Sequence, residues 1–255
     1  MQAINLIEKY IYLEETTSTN DICKTLGEDN TVGSALVRTD FQTEGRGTRE
    51  RPWVMSKNKN LIFSMMLKPK MTAERASGIT LIMALSIVKV LNDFKAGFMI
   101  KWPNDIVYNG KKVSGILTEL SVNFEVLNYI IVGIGINCNE EAFPKELEEK
   151  AISIKNILHK DVDVVNLLNL ILEEFYKNYD EYLYKGLVAI IEELRKFTAV
   201  IGRKAEILKG DISRRCLVMG LSDKAELTVK YEDGTVDNLV SAQIIVDGFY
   251  GISLK

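Results

Sequence analysis

The stretch GFMIKWPNDIVYNGKKVSGILTEL, residues 97–120, decides how the chain folds. Its first apolar run, 97–100, stops at Lys101, and a second starts at Ile106. Pro103 has no backbone N–H to give a sheet ladder, so a strand entering KWPND must break or bulge there. Lys101 is thereby delivered at a stiff strand end, facing either solvent or a cleft. Asn109-Gly110 then carries the chemistry of a tight hairpin turn, and a strand returns over 112–120. Strands joined by turns this short run antiparallel, because a parallel pair needs a long crossover.

Outward from this hairpin, residues 10–14, 34–39, 61–67 and 126–136 read as further strands. Residues 74–94 place apolar side chains at 79, 82, 83, 87, 90, 91 and 94, one face of a helix. A short helix is expected over about 20–26 and a long amphipathic one over 164–183, which Gly186 separates from another ending near Phe197. Past Gly202 the period falls to two. Short strands near 203–208, 214–220, 225–231 and 235–241, punctuated by Gly210-Asp211 and Asp233-Gly234, suit a small barrel. The expected class is α+β: a mixed, mainly antiparallel sheet covered by helices, then a barrel, with a domain boundary near residue 199.

Composition narrows the function. The 255 residues carry 32 basic and 35 acidic side chains, a net of −3, with no basic block to hold nucleic acid. MQAINLIEKYIYLEE has neither the apolar core nor the cleavage site of a secretory signal, and no apolar stretch is expected to reach membrane-spanning length. Cys23, Cys138 and Cys216 are odd in number and far apart, so they read as buried thiols of a reducing, cytoplasmic environment. His159 is the only histidine, which excludes a histidine-based triad or a His-rich metal centre.

Chemistry-bearing residues gather in five stretches. Ser18-Thr19-Asn20 supplies hydroxyls and an amide at a helix start; Ser18 or Thr19 is expected to cap that helix, and a capped N-terminus also receives ligands. QTEGRGTRERPW, 42–53, surrounds Gly45 and Gly47 with Arg46, Arg49 and Arg51, the makings of a loop over phosphate or of a solvated turn. KWPND and KKVSGILTE, 111–119, follow. In GIGIN, 133–137, glycines within a strand admit close approach of a backbone or ligand. Asn137 ends that strand either as a plain turn residue or as a reader of an adenine edge.

In this order, the five stretches resemble the biotin protein ligases, over essentially the whole chain. The resemblance implies a catalytic domain at 1–198, of the class II aminoacyl-tRNA synthetase-like kind, and an SH3-like β-barrel at 199–255. It implies ATP and biotin as substrates, Mg2+ accompanying ATP, and a biotin carboxyl carrier protein or domain as acceptor, in a monomer or homodimer. Biotin would be held by Ser18, Thr19, Asn20, Gln42, Gly45, Arg46, Lys101 and Gly115. The adenylate would be held by Arg46, Gly47, Thr48, Arg49, Arg51, Trp53, Asn104, Lys112 and Asn137. Lys101, Arg46 and Asp105 would be catalytic, with Asp105 either near magnesium or orienting the acceptor amine.

Two departures from the family pattern matter. Repressor members carry a winged helix-turn-helix ahead of the catalytic domain, whereas STN here begins at residue 18, so DNA binding is not expected. The family loop reads GRGRxGRxW and this one GRGTRERPW: Thr48 stands where arginine is common, and Glu50 where glycine is. Either Thr48 weakens the hold on the adenylate or Arg49 takes over. A lipoate or octanoate transferase of the same fold, and a non-catalytic biotin sensor, are the competing readings.

Overall fold

A computed structural model describes residues 7–124, 126–209 and 212–254. Seven strands, β1 (Lys9–Leu13), β2 (Ser34–Thr39), β3 (Leu61–Leu67), β4 (Phe98–Lys101), β5 (Asp105–Tyr108), β6 (Lys111–Asn123) and β7 (Val126–Ile136), form one sheet. Their order is β1-β2-β3-β7-β6-β5-β4, and only the β1–β2 pair is parallel. KWPND therefore turns the chain between β4 and β5, and Asn109-Gly110 between β5 and β6, as the hairpin chemistry predicts.

The central strands are buried on both faces, and their residues alternate accordingly. Ile130, Val132, Ile134 and Ile136 of β7 join one core with α2 (Ala73–Phe94) and α4 (Val164–Lys185). Tyr129 and Ile131 instead join Cys23 and Leu26 of α1 (Thr19–Glu28) on the other face. Period-two geometry makes that split unavoidable. By length and hydropathy α2 is sufficient to cross a membrane, contrary to the expectation above, yet most of it is buried between the sheet and α4. The cysteines are free and buried, as expected. His159 ends α3 (Ile154–Leu158) in a left-handed conformation and takes no part in the site.

β4 is a sheet edge, and it is covered by the rest of the chain. After α5 (Ile191–Phe197), Ala199 N–H donates to Ile100 O at 2.8 Å. The Trp102 indole, buried, donates to Ala225 O at 3.1 Å. Five antiparallel strands follow: β8 (Lys204–Lys209), β9 (Ile212–Leu221), β10 (Leu227–Tyr231), β11 (Val236–Leu239) and β12 (Gln243–Val246), in the order β11-β10-β9-β8-β12. The sequence pattern did not separate out β12. Gly210-Asp211, expected as a turn, lies outside the described residues; Gly234 turns the β10–β11 hairpin with φ +86°. A single buried apolar cluster runs from the seven-stranded sheet into the five-stranded one.

Candidate active site

The cleft opens where α1, the loop after β2 and the strands β6 and β7 converge. Ser18 stands at the α1 N-cap position but makes no capping bond; Gln42 satisfies the helix instead, its Oε1 accepting from Thr19 N–H at 2.7 Å and from Thr19 Oγ1 at 3.0 Å. The expected side-chain cap from Ser18 or Thr19 is thus replaced by one from outside the helix, and Ser18 is among the residues that line the cleft. Asn20 is locked from both ends: Ser64 Oγ donates to its Oδ1 at 2.6 Å, and its Nδ2 donates to Glu119 Oε2 at 2.5 Å. Ser64 and Glu119 lie on β3 and β6, and strand alternation alone does not mark them as partners of residue 20.

Gly115, Gly133 and Gly135 line this chamber. A methyl group on Gly133 would collide with the Asn20 carboxamide, and one on Gly135 would lie 2.6 Å from the Trp53 ring. Side-chain-free strands here are the condition for a cleft to exist at all. Trp53 lines this chamber and also a second one, which holds Asp105, Lys112, Asn137 and Tyr250. The first encloses about 490 Å3 and the second about 890 Å3, counting their open mouths. The Trp53 Nε1–H is buried and lacks a partner, so the wall between the chambers presents an unused donor.

The glycine loop forms a small hairpin. Gly47 N–H donates to Arg51 O and Trp53 N–H to Gly45 O, each at 2.8 Å, around a 3-10 turn at Thr48–Glu50. Arg49 and Glu50 both adopt positive φ, +60° and +56°, so Glu50 holds a left-handed conformation that a glycine would take without strain. Thr48 lines both chambers and Arg51 the second, whereas Arg49 is exposed and lines neither. Arg46 lines the first chamber and its guanidinium grips Asp21 of α1, with Nη1 3.0 Å from Oδ2. That hydrogen bond is the largest influence on Asp21, holding its carboxyl below the usual value of 3.8.

Lys101 does not occupy the place expected of it. Its side chain is 8% exposed, lines neither chamber, and reaches Ile244 O at 3.5 Å with the Tyr250 ring 5.0 Å from Nζ. Burial depresses its pKa, Asp105 opposes that, and Lys112 and Arg51 add to it. The cation at the junction of the chambers is Lys112, with Nζ 2.6 Å from Asp105 Oδ1 and 5.5 Å from the Trp53 ring. A bulge brings Lys112 onto the face of Asp105: pairing passes from Ile106–Ser114 to Val107–Lys112, so Val113 is an extra residue. Bulges re-aim side chains, and a period-two reading misplaces everything beyond one. Burial pushes Asp105 up, but Lys112 and Lys101 outweigh it, and its carboxyl stays below the ordinary range.

The other expected residues divide between roles. Asn104 and Asn137 line the first and second chambers, with their amides held by Ile116 O at 2.7 Å and Lys112 O at 3.3 Å. Gly45 lines neither chamber and packs against Gln42. Among the described residues no three His, Cys, Asp or Glu side chains cluster to hold a metal, and both Asp105 oxygens are taken, by Lys112 and by the Tyr250 hydroxyl.

A mainly antiparallel, helix-covered sheet with an amide-lined chamber, a glycine floor and a cation at the junction defines the class. The profile of the Biotin/lipoate A/B protein ligase family matches residues 12–137. The chain is 32% identical to the bifunctional ligase/repressor BirA of Bacillus subtilis (strain 168), over 92% of this chain and 73% of that one. With the biotin–[acetyl-CoA-carboxylase] ligase of Paracoccus denitrificans it shares 29% identity, over 78% and 85%. The biotin protein ligase of Aquifex aeolicus in complex with biotin and ATP superposes with a TM-score of 0.81 at 28% identity, covering 94% of this chain and all of that one. The chain belongs to the biotin protein ligases, and it is an enzyme of the ligase class.

Proposed function

We propose that the enzyme joins biotin and ATP into biotinyl-5'-AMP with release of pyrophosphate, then transfers biotin to a lysine of a biotin carboxyl carrier domain. The observation that carries this reading is the placement of Lys112 where the amide-lined chamber meets the second one. The ureido ring of biotin both donates and accepts hydrogen bonds, which suits Ser18, Thr19, Asn20 and Gln42. Its carboxylate would then reach the junction, with the nucleotide beyond it near Asn137, Arg51 and Trp53.

Carboxylate attack on the α-phosphorus builds negative charge on phosphoryl oxygens, and a fixed cation there lowers the barrier. Lys112, anchored by Asp105, fills that role, and Arg46 can add to it on leaving Asp21. The glycine loop and Trp53 cover the mixed anhydride from water until the acceptor amine arrives. The donor set does not fit a protein-held magnesium centre; Mg2+ belongs with the ATP phosphates. In this reading the catalytic domain runs over 1–198 and the C-terminal five-stranded sheet belongs to a second, barrel-like domain over 199–255. The relatives' names support a carboxylase carrier as partner, and the charge balance supports no nucleic-acid partner.

Pyrophosphate release measured with biotin and with lipoate tests this reading. Release with biotin alone is expected. Release with lipoate in preference would make the enzyme a lipoate ligase, and release with neither would leave a sensor.

A further inference from the structure

We propose that Tyr250, from the C-terminal five-stranded part of the chain, is a positioning residue of the adenylation site: its hydroxyl fixes Asp105, which in turn aims Lys112 at the cleft. This rests on the role given above to Lys112. Asp105 has two carboxylate oxygens and two partners. Oδ1 meets Lys112 Nζ at 2.6 Å, and Oδ2 accepts from the Tyr250 hydroxyl at 2.6 Å. Charge-assisted hydrogen bonds of this length are strong and directional. With Oδ2 tied, the carboxylate plane is set and Oδ1 presents toward Lys112 alone.

The same ring keeps the other lysine occupied. Lys101 Nζ lies 5.0 Å from the Tyr250 centroid, a cation–π distance, and 3.5 Å from Ile244 O. Two lysines compete for one carboxylate, and Tyr250 gives one of them an alternative partner. Removing the hydroxyl alone would leave that ring contact in place.

Backbone geometry shows that Tyr250 is held on purpose. Its φ is +56°, a left-handed conformation that an aromatic residue adopts only where its surroundings impose it. Those surroundings are a closed turn: Gly248 N–H donates to Ile252 O and Ile252 N–H to Phe249 O, each at 2.9 Å. Tyr250 N–H donates to Gly110 O, also at 2.9 Å, which ties the turn to the β5–β6 hairpin that carries Asp105 and Lys112. Burial, then Asp105, raises the phenol well above its usual value of 10, so the hydroxyl remains a donor at neutral pH.

The test is a double-mutant cycle on single-turnover pyrophosphate release in the full chain, using Tyr250→Phe, Asp105→Asn and both together. Tyr250→Phe is expected to lose roughly ten-fold in rate, the size of one hydrogen bond to a charged group, with KM for biotin within two-fold. The double variant should be no slower than Asp105→Asn alone, because Tyr250 acts only through Asp105. A Tyr250→Phe rate within two-fold of the parent overturns the proposal, and so do additive losses, which would mean Tyr250 acts by itself. Tyr250→Leu is the second variant should the phenylalanine form not fold. A crystal structure of the variant separates this inference from the proposed function. If the wild type releases no pyrophosphate, the function fails, while a Lys112–Asp105 contact unchanged in the variant overturns the role of Tyr250 whatever the activity.

Discussion

Lys112 and Asp105 meet at 2.6 Å across the β5–β6 pair, beside the bulge at Val113. Lys101 and Asp105, although paired directly across β4 and β5, send their charged groups to different partners. The lysine facing the cleft is therefore the one whose strand is out of register.

Substitution should separate the two lysines. Lys112→Gln removes the cation at the junction and is expected to slow adenylate formation by ~10²–10³. Lys101→Met removes a buried cation that touches neither chamber and should keep the rate within about ten-fold. Single-turnover pyrophosphate release decides, and the reverse ranking would return the catalytic role to Lys101.

Gly133 sets the fit of the amide-lined chamber. Gly133→Ala forces the Asn20 carboxamide away from Ser64 and Glu119. Losing that arrangement should weaken biotin by about 10–100-fold, the worth of one or two buried hydrogen bonds. Gly220→Ala, where nothing lies within 4 Å of the added methyl, is the control. Equilibrium biotin binding without ATP is the measurement, and equal affinities in both variants would remove Asn20 from recognition.

Arg46 and Asp21 latch the glycine loop onto α1. Both side chains are partly exposed, at 24% and 42%, so the pair is worth no more than about 1 kcal/mol. Asp21→Asn should then raise tryptic cleavage at Arg46, Arg49 and Arg51 by up to about five-fold. The sign with pH follows from the lowered Asp21 pKa. A carboxyl depressed in the folded state stabilises it above the unfolded pKa and ceases to as pH falls through the folded one. The latch is complete at neutral pH and loosens only below about pH 4. Equal cleavage of parent and variant at pH 7 would show that Asp21 does not hold the loop.

Arg51, not Arg49, faces the second chamber beside Thr48. Arg51→Ala should speed escape of preformed biotinyl-adenylate by about five-fold, the discounted worth of a partly exposed charge contact. Arg49→Ala should leave it within two-fold. Rapid dilution of the preformed intermediate provides the measurement. A large effect at Arg49 alone would mean that the loop turns its left-handed segment inward on the ligand.

By itself the sequence determined the order of the strands and helices except α3 and β12, the hairpin at Asn109-Gly110 and the glycine floor. Each of these follows from local chemistry: which residues can lack an N–H, take a positive φ or repeat with period two. The family resemblance carried by its ordered motifs pointed to Asn20, Gln42, Thr48, Trp53 and Asn137, and all five line the two chambers. Only the tertiary structure decided which lysine faces the cleft, since one extra residue at Val113 inverts the strand facing while leaving its composition unchanged. It alone brought in Ser64, Glu119 and Tyr250, whose partners lie 44, 99 and 145 residues away along the chain. Contacts at that separation are made by packing the two sheets and α1 together, and no local pattern encodes them.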